Sequence, residues 1–340
     1  NTFQISVIAI FIFLAIFSVL AFAGIIPLPG ITDAPVIALT MWGAVPNSQL
    51  SLLITDFNKV YEKQYNLIYV EKDSRTLESE LINALASGLG PDLIYAPQEL
   101  IFKQADKLRP LPFAQLDQLT YKNTFIQQAQ LFLYPEGVIA LPLVVDPLLL
   151  YYNRDLFTNA RLVSPPRTWN ELEAQNKVLT VADERGNISQ SAIAIGGFNN
   201  TINAKDILTL LIMQAGNPIV TRNETGWRPT LLENTLGGSG LPAANAINFF
   251  NNFSNSRNLF YSWNSSLPEA RQMFARNTLA MYLGYASEYE TIRRLNPQIN
   301  FDLTDVPQPN ESRLADMTLG RLHGLAVLRA SPKGDVATQV

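Results

Sequence analysis

Ile5 to Ile26, ISVIAIFIFLAIFSVLAFAGII, is a run of 22 residues without a charge, and no other feature of this 340-residue chain restricts its folding as strongly. As a helix the run would be roughly 33 Å long at ~1.5 Å per residue, enough to cross the hydrocarbon of a bilayer. It is longer than the ~7–15 residue apolar core of a signal peptide, which favours a retained anchor, although Ala21-Phe22-Ala23 offers an A-x-A pattern for cleavage. Pro27 to Pro35 (PLPGITDAP) reads as a short linker, and the first basic residue after the run is Lys59. Cytoplasmic flanks carry an excess of Lys and Arg, so the larger portion is expected outside. The sequence thus predicts a cell-membrane protein with a single N-terminal pass and an extracytoplasmic globular portion.

All 25 Lys and Arg and all 29 Asp and Glu lie after Thr32, in a portion whose length suits about two domains. Zero cysteines exclude a disulfide scaffold, a thiol nucleophile and any Cys-ligated metal centre. The single histidine, His323, excludes a multi-His metal site and would have to serve any Ser-His-Asp triad. A net charge of −4 without a Lys/Arg cluster argues against nucleic acid, because phosphate neutralisation needs concentrated positive charge. Gly88-Leu89-Gly90 lacks the third glycine of a dinucleotide loop, and Gly237-Gly238-Ser239-Gly240-Leu241 lacks the last glycine of a nucleophile elbow. No cofactor is implied.

Val36 to Trp42 is a short apolar run ending at Gly43, the pattern of a buried strand, and Leu50, Leu53, Ile54, Phe57, Val60 and Tyr61 follow at helical spacing. Asn66 to Glu71 reads as the next strand, Thr76 to Ser87 as a helix stopped by Gly88-Leu89-Gly90-Pro91, and Leu93 to Ala96 as a third strand. Such alternation predicts βαβ units, a mostly parallel sheet and the α/β class. Val138 to Val145 and Leu148 to Tyr152 are two further apolar runs separated by Pro147. Thr168 suits the N-cap of a helix Trp169 to Thr180, with Glu171 placed to reach back. Ala204 to Ala215, Pro242 to Phe253 and Pro268 to Arg276 are helical patterns, Gly237 to Gly240 is a flexible loop, and Gly324 to Leu328 is a strand.

Five local patterns, in order, resemble the extracellular solute-binding proteins of family 1, the sugar-type binding subunits of ABC importers. They are Gly88-Leu89-Gly90-Pro91-Asp92-Leu93-Ile94; Ala140-Leu141-Pro142-Leu143 with Leu150-Tyr151-Tyr152-Asn153-Arg154-Asp155-Leu156-Phe157; and Pro166-Arg167-Thr168-Trp169-Asn170-Glu171-Leu172. The others are Phe274 to Gly284 (FARNTLAMYLG) and Asn296-Pro297 before Asn300-Phe301. The resemblance covers about Val36 to Leu328 and implies a two-lobed periplasmic-binding-protein-like fold that closes on ligand in a cleft between the lobes. Transferred to this chain, 1–32 is an anchor or signal segment with linker, lobe 1 is 33–147 with 303–340, and lobe 2 is 148–302. It further implies that the fold continues past Val340, so that its C-terminal portion is missing here. The implied partners are a sugar or oligosaccharide, ABC permease subunits and, through the N-terminal helix, the membrane.

A sugar offers vicinal hydroxyls and flat C–H faces, so its site needs aromatic platforms and carboxylate or amide groups. The candidates are Trp42, Gln98, Glu99, Asp146 and Tyr285. Trp42, at a strand end, suits a platform or core packing. Gln98 and Glu99 stand where relatives place ligand-pairing groups, or form a solvated helix start. Asp146 matches the family's crossover carboxylate, and Tyr285 the position of a stacking aromatic ring. Asp92 is expected to cap a turn, Tyr152 and Asn153 to make structural hydrogen bonds, and Trp169 to sit in the core. Trp227 and Trp263 suit either role. Asn199, Asn200 and Asn203 are expected to hold a loop.

The leading expectation is a tethered receptor, not an enzyme, that presents a carbohydrate to a permease; tethering raises its effective concentration there. A sensor ectodomain reporting to a membrane partner is the second reading. The third is a glycosidase using Glu99 and Asp146, which needs the two carboxyls about 5–10 Å apart.

Overall fold

A computed structural model of the chain describes residues 2–22, 35–223, 226–233, 241–310 and 316–339. The expected linker except Pro35, and the Gly237 to Gly240 loop, lie outside the described residues. In chain order the elements are α1 (Thr2–Phe22), β1 (Ile37–Gly43), α2 (Asn47–Val60), β2 (Tyr65–Glu71), α3 (Leu77–Ala86), β3 (Leu93–Pro97), α4 (Gln98–Lys103), β4 (Leu108–Arg109), α5 (Gln118–Thr124), β5 (Leu133–Tyr134), β6 (Gly137–Val138) and β7 (Leu141–Asn153). They continue as α6 (Arg154–Asn159), α7 (Trp169–Leu179), β8 (Val181–Ala182), β9 (Ile188–Ile193), α8 (Ala204–Gln214), β10 (Val220–Asn223), β11 (Gly226–Pro229), α9 (Pro242–Asn252), α10 (Ala270–Ala275), β12 (Leu279–Tyr285), α11 (Tyr289–Leu295), β13 (Phe301–Thr304), β14 (Gly320–Leu328) and α12 (Gly334–Ala337). The chain divides into two compact units, Asn1–Leu143 with His323–Val340, and Val144–Leu322.

α1 is one continuous helix, and Ile10, Phe11, Phe13 and Val19 are each more than half exposed. Its described side chains, 10–20, cover only about half its length. Among the described residues no helix is long and apolar enough to cross a membrane.

In the first unit β1 runs parallel to β2 from Ile37↔Tyr65 to Gly43↔Glu71, and parallel to β3 from Met41↔Leu93 to Gly43↔Tyr95. β14 lies antiparallel beside β3, from His323↔Pro97 to Val327↔Leu93. Leu39, Met41, Leu93 and Tyr95 pack with Ala337 of α12 as a core. α3 ends where its sequence provides an end. Gly88 takes φ +71°, its N–H bonds the Leu85 carbonyl, and the Leu89 N–H bonds the Ala84 carbonyl, a pairing that turns the chain out of the helix and satisfies two carbonyls.

Asp92 does more than cap a turn. Its Oδ2 accepts the Thr40 N–H of β1 at 2.8 Å and its Oδ1 the Ser331 hydroxyl at 2.5 Å, so one buried carboxylate ties β1 and β3 to the segment after β14.

In the second unit the direction of the strands departs from expectation. β9 is parallel to β12, but β7 is antiparallel to both β12 (Leu148↔Tyr285 to Tyr152↔Met281) and β13 (Leu150↔Thr304 to Asn153↔Phe301). The sheet is therefore mixed; apolar periodicity reports that a strand is buried, not which way it runs. Pro147 does not break the strand either. β7 passes through it as one 13-residue strand, because the described pairing with β12 begins only at Leu148, whose N–H bonds the Leu319 carbonyl at 2.8 Å.

Residues 303–322, expected in lobe 1, belong to this second unit. Gln308 exchanges backbone hydrogen bonds with Arg167 and Trp169, Gln214 Nε2 donates to the Pro307 and Met317 carbonyls, and the Thr318 hydroxyl donates to the Leu148 carbonyl. These contacts, all within the unit, hold the segment past β13 down.

α7 starts as its sequence predicts. Thr168 Oγ1 accepts the Glu171 N–H, and Glu171 Oε2 reaches back to the N–H of Arg167, one residue ahead of the N-cap. Trp169 is buried and its indole N–H donates to Gln214 Oε1 at 2.7 Å, and Trp263 is fully buried with its N–H on Asn200 Oδ1 at 2.9 Å. Both tryptophans belong to the core.

Candidate functional site

Three of the five candidate ligand residues stand at one end of the sheet in the first unit. β1 and β3 are neighbours and parallel, with Trp42 opposite Ile94. Trp42 occupies the carboxyl end of β1, and Gln98 and Glu99 open α4 immediately beyond the carboxyl end of β3. Open α/β sheets gather ligands at that end, because the loops that leave the strands there converge. Trp42 is half-buried, so core packing does not consume its ring; the Lys72 ammonium lies 4.0 Å from the ring centroid while bonding Glu80 Oε2 at 2.7 Å. One face of the indole thus carries a cation, worth about 0.5–1 kcal/mol at such a site. Gln98 is half-buried and Glu99 exposed.

The other two candidates meet at the carboxyl end of β12 in the second unit. Asp146 precedes by two residues the Leu148 that pairs with Tyr285. It is buried, and its two oxygens accept the Ser287 N–H at 2.9 Å and the Ser287 hydroxyl at 2.6 Å. Tyr285 is only 2 % exposed, and the Arg321 guanidinium carbon lies 3.7 Å from its ring centroid. Arg321 is itself held by Asp206 Oδ2 at 2.7 Å. Tyr285 is therefore a ring with one face already covered by a cation, and Asp146 a carboxylate already engaged by one serine. Tyr151, fully buried, donates its hydroxyl to the Tyr285 carbonyl at 2.6 Å and fixes that strand end from below.

Sequence reasoning missed Ser287, Glu288, Arg321 and Asp206. The only local signal was a polar pair following the apolar FARNTLAMYLG stretch; Arg321 and Asp206 are 36 and 79 residues from Tyr285 in the chain.

Of the polar residues expected to be structural, Asn153, Asn200 and Asn203 make structural hydrogen bonds. Asn153 accepts the Asp155 and Leu156 N–H groups at 3.1 Å, capping α6, and donates to Asn277 Oδ1 at 2.7 Å. Tyr152 packs edge-on against Phe157. Asn200 donates to the Asn264 and Leu267 carbonyls, and Asn203 to Glu288 Oε1, while Asn199 is exposed. The Trp227 side chain lies outside the described residues. Among the described residues no group of three or more His, Cys, Asp or Glu could hold a metal ion.

Residues 43–339 match the model of the bacterial extracellular solute-binding protein family. Among solved structures, an ABC transporter solute-binding protein from Thermotoga lettingae bound with α-D-tagatose is similar at 19% identity and a TM-score of 0.66, over 89% of this chain and 75% of that one. An ABC substrate-binding protein from Listeria monocytogenes in complex with cycloalternan is similar at 18% identity and 0.66, over 89% and 74%. A maltose/maltodextrin-binding domain from Bdellovibrio bacteriovorus bound to maltotriose follows at 16% and 0.65, over 89% and 75%. At these identities the likeness is one of fold.

Proposed function

The chain belongs to the family of bacterial extracellular solute-binding proteins, and from that membership we propose that it captures a carbohydrate outside the cytoplasmic membrane and hands it to the permease of an ABC importer. The observation that carries this reading is the placement of Trp42, Gln98 and Glu99 together at the carboxyl ends of β1 and β3. An indole supplies a flat apolar surface for a pyranose face, and an amide and a carboxylate supply partners for hydroxyls. Asp146 and Tyr285 are proposed as the second unit's ligand residues. The matched structures, which hold α-D-tagatose, cycloalternan and maltotriose, support the choice of ligand class.

Trp42→Ala should weaken binding of the tightest sugar found by at least tenfold, about 1.4 kcal/mol, with little loss of stability because the ring is only half-buried. Calorimetric titration of the variant reads this directly; unchanged affinity would remove Trp42 from the site.

The uncharged run Ile5 to Ile26 is proposed as the tether that keeps the receptor beside its permease. Deleting residues 1–26 should move the chain from the membrane fraction to the supernatant. Recovery of the full chain in a detergent-free supernatant would contradict the tether.

A further inference from the structure

Glu288 follows β12 by three residues, is buried, and accepts four hydrogen bonds. Its Oε1 takes Asn203 Nδ2 at 2.7 Å and the Tyr285 N–H at 3.0 Å; its Oε2 takes Arg271 Nε at 2.9 Å and the Tyr282 hydroxyl at 2.5 Å. A carboxylate has about four acceptor positions, so none is left over for a ligand. The four donors come from the N-cap of α8, from α10 and from two positions of β12, elements that share no continuous backbone ladder at this point. Burying a carboxylate demands such compensation, and in return each donor is fixed in place.

The surroundings are shaped to let this happen. A Cβ at Gly284 would collide with Tyr282 Cε1, so the tyrosine ring can fold back along its own strand toward Glu288 only because residue 284 has no side chain. Burial, and after it the Glu288 charge, push the Tyr282 phenol well above its ordinary range, which keeps it a donor. The Glu288 charge and Tyr282 also outweigh the burial penalty on Arg271, holding that guanidinium's pKa above its usual value.

Glu288 closes the 285–288 turn, and one of its four bonds holds that turn's first residue. The turn's first residue is pinned by its N–H on Glu288 and its carbonyl under the Tyr151 hydroxyl, and its third residue is the one that engages Asp146. We propose that Glu288 is a positioning residue for ligand capture: without touching ligand it fixes the Tyr285 backbone, and through the turn it sets where Asp146 and Tyr285 can meet a sugar. This rests on the carbohydrate reading above.

The test uses the full chain in a detergent without a sugar headgroup, titrated calorimetrically with D-tagatose, maltotriose and maltotetraose, alongside thermal unfolding. Glu288→Gln keeps the shape but turns one acceptor into a donor facing donors, and should weaken the tightest-binding sugar at least tenfold. Asn203→Ala, a milder change that removes one of the four donors, should weaken it two- to fivefold. Phe250→Leu, in α9 against Phe198, is the control: it should lower the unfolding temperature yet leave affinity unchanged. Wild-type affinity in Asn203→Ala and Glu288→Gln, or an equal loss in Phe250→Leu, overturns the positioning role. A wild-type chain that binds none of the three sugars overturns the carbohydrate reading itself, a different result.

Discussion

Asp92→Ala should destabilise the first unit by about 2–6 kcal/mol, since it leaves two partly buried donors unpaired at about 1–3 kcal/mol each. The donors are the Thr40 N–H of β1 and the Ser331 hydroxyl, and the Lys333 ammonium, 3.8 Å from the carboxylate, loses its counter-charge as well. The backbone of residue 92 is already committed and cannot take over the side chain's role: its N–H bonds the Thr40 carbonyl, and its carbonyl accepts the Leu328 N–H. Asp92→Asn keeps an acceptor and the shape, and should lose less. Urea unfolding of the variants measures both; an Asp92→Ala midpoint equal to that of the wild type would mean that the carboxylate contributes nothing net.

Trp263→Ala should cost the second unit about 3–5 kcal/mol, the range for emptying a core site of a large aromatic residue. Trp263 has no exposed surface and packs with Tyr151, Phe274 and Tyr282 in one cluster. Its removal also strips Asn200 Oδ1 of the indole N–H, while the Asn200 amide remains tied to the Asn264 and Leu267 carbonyls and cannot turn away without breaking them. Trp263→Phe separates the two effects: most of the apolar volume stays and only the hydrogen bond goes, for a loss of about 1–3 kcal/mol. If Trp263→Ala and Trp263→Phe unfold at the same urea concentration, cavity formation is not the main term.

Much of this fold is legible along the chain wherever the determinants are local. β1, β2 and β3 begin within a residue of their apolar runs, α3 stops where Gly88 can adopt a positive φ, and α7 starts at the threonine whose side chain caps it. Asn153 caps α6 two and three residues on, again a local bond. What the sequence does not carry is anything fixed by distant partners. The direction of β7 depends on β12 and β13, more than a hundred residues later, and the unit to which 303–322 belongs depends on Gln308 finding Arg167 and Trp169. The candidate residues divide the same way. Trp42, Gln98 and Glu99 lie at one end of the first unit's sheet because the parallel strands β1 and β3 both end there. That Tyr285 lies under Arg321, and that Glu288 gathers donors from three elements, follows only from the tertiary fold.

The central claim, that this chain is a carbohydrate receptor, is tested most directly by titrating the full chain with maltotriose, maltotetraose and D-tagatose in a detergent that has no sugar headgroup. Calorimetry should give a saturable isotherm with one site per chain for at least one of them, and the same sugar should raise the thermal unfolding midpoint as its concentration increases, because it binds the folded form. A folded chain that gives neither heat nor a shift in midpoint with any of the three would contradict the account.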